Sequence, residues 1–106
     1  LIGTVQTPRG TFTVSGQVDR LAVSDNEVLI VDYKTNRPPP LKAEGVAEAY
    51  LLQLAAYRMA LRLIYPGKPV RAAIVWTDGA RLMEIPGAML DGAEARLWAL
   101  PQGKES

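Results

Sequence analysis

The sequence predicts a mixed α/β domain with a central sheet of four or five strands, one long helix and a short C-terminal helix. Two apolar runs rich in β-branched residues flank the segment 24–27, which is the pattern of a β-hairpin. Apolar residues at three- and four-residue steps across 42–65 indicate an amphipathic helix. A further apolar run at 70–77 is followed by Asp78-Gly79, a strong hairpin signal.

Turn residues and prolines set the predicted bounds of these elements. The segments 7–10 and 66–67 combine proline with glycine, and the three prolines at 38–40 cannot continue a central strand. The predicted strands are 1–6, 11–23 (bent near residue 16), 28–35, 70–77 and 81–85, and the predicted helices are 42–65 and 88–100. We expect a single domain over 1–100 and a polar tail at 101–106.

Composition limits the chemistry that the chain can perform. The 106 residues include no cysteine and no histidine, so disulfides and cysteine- or histidine-ligated metals are excluded. Any metal must have oxygen ligands, which indicates Mg²⁺ or Mn²⁺. A net charge of +1 does not by itself indicate nucleic-acid binding. No apolar run is long enough to span a membrane, so a cytoplasmic location is expected.

The turn at 24–27 determines which side chains face each other across the first hairpin. With a two-residue turn, the facing pairs are Val23–Val28, Leu21–Ile30, Asp19–Asp32 and Gln17–Lys34. Facing carboxylates lie roughly 5 Å apart and would repel each other by about 3 kcal/mol without a cation between them. Lys34 projects from the same face as Asp32. Two acids and an amine suit a divalent metal with an activated water, although Lys34 could instead simply neutralise Asp32.

The long helix presents a glutamine and a tyrosine one turn apart. Gln53 and Tyr57 lie on the face that also carries Tyr50, Leu54 and Leu61. One interpretation makes Gln53 a partner of a backbone group and Tyr57 a core residue. The other makes both of them support for the site at Asp32.

Three motifs in this order resemble a known family. They are Gly16-Gln-Val-Asp-Arg20, Val31-Asp-Tyr-Lys-Thr35 and Gln53-Leu-Ala-Ala-Tyr57. The chain between about residues 14 and 83 resembles the RecB-type nuclease branch of the PD-(D/E)xK superfamily, in particular the C-terminal nuclease domain of the AddA subunit of bacterial AddAB helicase–nucleases. Each motif alone is weak, and the ordered set of three is strong.

The resemblance implies a fold and a role for each motif residue. The fold would be a restriction-endonuclease-like core, and the activity Mg²⁺-dependent hydrolysis of DNA, with Mn²⁺ as a substitute. Asp19, Asp32 and the carbonyl of Tyr33 would bind the metal, and Lys34 would position or deprotonate the attacking water. Gln53 and Tyr57 would support the metal site and contact the DNA backbone.

The resemblance also implies a larger parent protein. Such nucleases carry a further histidine or glutamate on an upstream helix, which this sequence does not include, so we expect a fragment that alone is inactive or weakly active. An ATP-driven helicase region and an AddB-type partner subunit would act with it on DNA, as an exonuclease in double-strand break repair and recombination. The alternatives are a non-catalytic DNA-binding or scaffold domain with the nuclease fold, and a stand-alone resolvase or restriction-type endonuclease.

Overall fold

The fold was analysed in a computed structural model, which describes the backbone of residues 2–7, 10–15 and 18–99 and the side chains of residues 18–99. Its elements in chain order are β1 (Ile2–Thr7), β2 (Gly10–Ser15), β3 (Arg20–Val23), β4 (Val28–Lys34), a 3₁₀ turn (Ala43–Gly45), α1 (Glu48–Ile64), β5 (Val70–Trp76), β6 (Arg81–Ile85) and α2 (Gly87–Ala99). The predicted tail at 101–106 lies outside the described residues.

A mixed four-stranded sheet forms the centre of the fold, and its strand order is β3-β4-β5-β6. β3 and β6 are antiparallel to their neighbours, while β4 and β5 run parallel. A parallel pair needs a crossover connection, and α1 supplies it between β4 and β5. The predicted fold class, a restriction-endonuclease-like α/β core, is thereby confirmed.

The core lies between one face of this sheet and the two helices. Along β4 the buried positions alternate, with Val28, Ile30 and Asp32 on the inner face. The side chains from α1, α2 and the neighbouring strands that complete this core include Leu54, Leu61, Ile74, Trp76, Ile85 and Leu90. Because the inner face is otherwise apolar, Asp32 is a charged residue at the end of a hydrophobic row.

The first hairpin has the predicted register, but one predicted strand is divided. Val23 pairs with Val28 and Leu21 with Ile30, as expected for the two-residue turn. The prediction of one strand over 11–23 was wrong, because β2 pairs with β1 in a separate two-stranded sheet and β3 pairs with β4. The β3–β4 ladder ends at the pair Arg20–Val31. The next β4 amide that faces β3 belongs to Tyr33, and it donates to the Asp19 side chain and not to a backbone carbonyl. The predicted pairing of Gln17 with Lys34 lies outside the described residues.

The long helix begins later than the predicted start at residue 42. The residues Ala43–Gly45 form a short 3₁₀ turn. Val46, which follows this turn, is buried and has an extended backbone (φ −70°, ψ 136°), so the turn does not continue into the helix. Gly45 allows this turn to lie against Pro40, since a Cβ at this position would come within 3.1 Å of the Pro40 Cβ. α1 therefore starts at Glu48, after the connector has been anchored in the core.

The remaining predicted elements agree with the structure within a residue or two. β5 and β6 form the predicted hairpin, although its loop spans residues 77–80, with Gly79 (φ 89°) and Ala80 (φ 50°) in the left-handed region. α2 covers Gly87–Ala99 against a predicted 88–100. Within the described ranges, neither helix has the length and apolar character needed to cross a membrane.

Candidate functional site

Two carboxyl groups meet where β3 begins and β4 ends. Asp32 occupies an inward-facing position near the end of β4, and Asp19 directly precedes β3. The Asp19 Oδ2 accepts a hydrogen bond of 2.8 Å from the backbone N–H of Tyr33. This contact holds the Asp19 carboxylate next to that of Asp32, and each of the two groups affects the ionisation of the other.

The two carboxyl groups have different affinities for protons. The hydrogen bond from the Tyr33 amide, followed by the contact with Asp32, lowers the pKa of Asp19. Burial raises the pKa of Asp32, and the neighbouring Asp19 adds to this effect, while Lys34 opposes it. An added positive charge between the two groups would therefore be bound favourably.

Asp32 is buried, and one of its oxygens contacts Lys34. Its side chain is 7% exposed, and the Lys34 Nζ lies 2.9 Å from its Oδ2 in an ion pair. A carboxylate has more acceptor positions than this one contact occupies. A buried carboxylate oxygen with spare acceptor capacity is a suitable ligand for a hard cation.

Lys34 connects this pair of acids to α1. Its Nζ donates to the Gln53 Oε1 at 3.2 Å, and the Gln53 Nε2 in turn lies 3.4 Å from the hydroxyl of Tyr57. Tyr57 is buried, whereas Gln53 is exposed at the mouth of the site. A continuous chain of polar contacts thus runs from the end of β4 to the middle of α1.

The carbonyl of Tyr33 points towards Asp19. The Lys34 carbonyl accepts from the Thr77 N–H on the β5 side, and successive residues of a strand direct their backbone groups to opposite sides. The Tyr33 N–H and carbonyl therefore both face away from β5, towards the residues just before β3, which include Asp19. This carbonyl is a candidate for a third oxygen ligand.

All of the residues proposed from the sequence thus lie in one neighbourhood: Asp19, Asp32, Tyr33, Lys34, Gln53 and Tyr57. Their roles in catalysis and metal binding stay predictions. No cluster of three or more histidine, cysteine, aspartate or glutamate side chains that could hold a metal occurs in the described part of the chain. The candidate ligand set is therefore two carboxylates and one backbone carbonyl.

Tyr50 lies on the predicted helical face with Gln53 and Tyr57, but it was not predicted to be part of the site. The Lys34 Nζ lies 4.3 Å from the centroid of the Tyr50 ring, and the Tyr50 hydroxyl donates to the Asn36 Oδ1 at 2.9 Å. The three-residue step from Tyr50 to Gln53 was the signal that could have identified it.

Comparison with known proteins gives one match. A model of the PD-(D/E)XK nuclease superfamily matches residues 2–98. Neither the curated proteins nor the solved structures gave a significant match. The matched region contains every residue of the candidate site.

Proposed function

The chain belongs to the PD-(D/E)XK nuclease superfamily, and we propose that it is the catalytic module of a divalent-metal-dependent deoxyribonuclease. The observation that carries this proposal is the convergence of Asp19, Asp32 and Lys34 at the end of β4. A purely structural role would not explain why a second carboxylate is held beside a buried one.

The oxygen atoms at this position fit a divalent metal ion. Asp19 and Asp32 supply two carboxylates, the Asp32 carboxylate has acceptor capacity beyond its ion pair with Lys34, and the Tyr33 carbonyl faces the same side. We propose Mg²⁺ as the natural ion and Mn²⁺ as a substitute, since both prefer oxygen ligands. When bound, the ion would lower the pKa of a coordinated water and neutralise charge on the phosphate.

The remaining side chains would orient the reactants. The Lys34 Nζ would hold the attacking water and stabilise the negative charge that develops on the phosphate oxygens. Gln53 would fix the Lys34 ammonium through its Oε1, and Tyr57 would fix Gln53. Gln53 is exposed, which would allow its amide to contact the DNA backbone as well.

Metal titration of the 106-residue chain tests the proposed metal site. We expect weak binding, because two carboxylates form a ligand set of low charge, with amide chemical shifts changing near Asp19 and Tyr33. Asp32→Asn should abolish these changes. Asp25→Asn, which alters an exposed aspartate at the opposite end of the same hairpin, should leave them intact. A silent titration of the unmodified chain would instead favour a scaffold with no metal chemistry.

The motif order further supports a specific parent protein. We propose that the chain is the exonuclease module of an ATP-dependent, AddAB-type helicase–nuclease that acts on DNA in double-strand break repair and recombination. An upstream helicase region and an AddB-type subunit would feed DNA to this site, in the cytoplasm. The isolated chain would then cut DNA weakly or not at all.

The parent protein provides a separate test of this assignment. Asp32→Asn in that protein should abolish DNA degradation and leave ATP hydrolysis within about twofold of the unmodified rate, because the two activities use different sites. Asp25→Asn should preserve both activities. DNA degradation that needs no ATP would rule out the helicase–nuclease assignment and leave a stand-alone nuclease.

A further inference from the structure

Tyr50 lies in the first turn of α1 and covers one side of the Lys34 ammonium group. It precedes Gln53 by three residues, so both side chains extend from the same face of the helix towards β4. The Lys34 Nζ is 4.3 Å from the ring centroid, which is within the range of a cation–π interaction. Tyr50 is half-buried, so this contact is partly protected from water.

The Tyr50 ring is itself held from two sides. Its hydroxyl donates to the Asn36 Oδ1 at 2.9 Å, which ties it to the segment that follows β4. Its ring centroid is 6.4 Å from that of Trp76, at an interplanar angle of 43°, and Trp76 is completely buried. Trp76 pairs directly with Lys34 in the parallel ladder. The ring is therefore anchored to β5, which pairs with β4, and to the segment that follows β4.

The Lys34 ammonium needs a contact that restrains its position. A lysine side chain has four rotatable carbon–carbon bonds, and its ammonium group can bind acceptors from many directions. Asp32 and Gln53 contact the ammonium at 2.9 and 3.2 Å. The Gln53 amide is exposed, so water competes with it for the ammonium. The Tyr50 ring lies against another side of the ammonium and excludes water there.

We propose that Tyr50 is a positioning residue that holds the Lys34 ammonium beside Asp32, and that Asn36 in turn fixes the Tyr50 ring. The structural part of this proposal stands on the contacts alone. The catalytic part rests on the proposed nuclease function, since it assumes that Lys34 orients the attacking water.

Nuclear magnetic resonance of the 106-residue chain tests the positioning without any cleavage. A ring over the ammonium shifts the Lys34 ε-methylene protons upfield relative to those of Lys42, an exposed lysine. We expect this shift in the unmodified chain and in Tyr50→Phe, and its loss in Tyr50→Leu. Tyr50→Met replaces Tyr50→Leu if the latter no longer unfolds cooperatively. A Lys34 shift that is absent from the unmodified chain, or that survives in Tyr50→Leu or Tyr50→Met, would overturn the proposal.

Cleavage by the parent protein tests the catalytic part. Tyr50→Leu should lower kcat about tenfold and leave KM for DNA within about twofold, since the cation–π contact acts on a group that does not hold the substrate. Tyr50→Phe keeps the ring and should retain kcat within about threefold. Equal losses in the two variants, or a rise in KM alone, would contradict a positioning role.

A matched control exists at the other end of α1. The Lys68 Nζ lies 5.7 Å from the Tyr65 ring, which is the same class of contact away from the site, so Tyr65→Leu should leave kcat unchanged. An equal loss of kcat in Tyr65→Leu would refute a specific role for Tyr50.

The failure of the proposed function can be distinguished from the failure of this proposal. If Asp32→Asn cleaves DNA at the unmodified rate, the proposed nuclease function fails. The ring-induced shift of the Lys34 protons still decides whether Tyr50 positions the ammonium.

Discussion

Asp32 combines three features that rarely occur together in one side chain. It is buried, it faces a second carboxylate, and it forms an ion pair with a lysine two residues away. Together they leave negative charge that Lys34 only partly neutralises, and this favours the binding of a further cation.

The first prediction concerns Lys34. Lys34→Met should lower kcat of the parent protein by about 100-fold or more, because an orienting proton donor is lost from the site. Metal affinity of the 106-residue chain should stay the same or rise, since the positive charge that competes for Asp32 is removed. Steady-state cleavage and metal titration measure the two quantities. Lys42→Met, which alters an exposed lysine, serves as the control and should change neither.

At the level of elements, α1 and α2 are joined by a buried arginine. The Arg58 side chain is 6% exposed and forms ion pairs with Asp91 and Glu94 of α2, at 2.5 and 2.6 Å. Arg58 lies three and seven residues after Ala55 and Leu51, on the same face of α1, and both of these residues are buried. This arginine therefore lies within the helix–helix contact, and its charge is balanced by the second helix.

The second prediction concerns this contact. Arg58→Ala should lower the free energy of unfolding by about 2–3 kcal/mol, because Glu94 would be left partly buried without its closest partner. Arg62→Ala is the matched control, because Arg62 also pairs with Glu94 but is 44% exposed; the expected loss is about 0.5 kcal/mol. Urea denaturation measures both values. Equal losses would show that burial of Arg58 does not strengthen the pair.

A second set of ion pairs crosses the outer face of the sheet. Arg71 on β5 pairs with Glu84 on β6 at 2.6 Å and with Glu27, just before β4, at 3.0 Å. The Arg71 guanidinium lowers the pKa of Glu84 from its ordinary value of 4.5. Glu84 should therefore stabilise the folded state above that value and lose its contribution as the pH falls through the lower, folded-state pKa.

The third prediction follows from this pKa. The difference in free energy of unfolding between the unmodified chain and Glu84→Gln should be largest at neutral pH and should disappear at pH values well below 4.5. Denaturant unfolding across this pH range measures it. Glu44→Gln, in the exposed 3₁₀ turn, should show no comparable change with pH. A difference that grows on acidification would contradict the assigned sign.

At the scale of the whole molecule, the fold brings together residues that are distant in the chain. Asp19 and Tyr57 belong to different elements, yet both reach the same end of the sheet, because β3 pairs with β4 and α1 crosses from β4 to β5. A ligand that binds Asp19 and Asp32 would therefore bind only the folded chain. Metal binding and folding should be linked.

The fourth prediction is a stabilisation by metal. At a Mg²⁺ or Mn²⁺ concentration about ten times the Kd, the free energy of unfolding should rise by about 1.4 kcal/mol and Tm by about 6 °C. A chelator should reverse the effect. Asp32→Asn should show no rise and Asp25→Asn the full rise, as followed by circular dichroism. A rise that persists in Asp32→Asn would place the metal elsewhere.

Local patterns sufficed for the elements and for most of the site. The two-residue turn at 25–26 set the β3–β4 register up to the Arg20–Val31 pair, and Asp19 follows directly beyond that pair, beside Asp32. Steps of three and four residues placed Gln53 and Tyr57 on one face of α1. The bend predicted near residue 16 was the local signal in the predicted strand at 11–23, but its division could not be predicted, because β2 and β3 pair with different partners.

The sequence by itself determined the order of the elements, the hairpin register and the residue types available for chemistry, because turns and side-chain periodicity act over a few residues. Only the tertiary structure decided that Asp32 is buried, that Tyr50 covers Lys34 and that Arg58 joins the two helices. Burial and charge pairing depend on which distant segments pack together. The pKa of Asp32 and the position of the Lys34 ammonium are therefore properties of the folded chain.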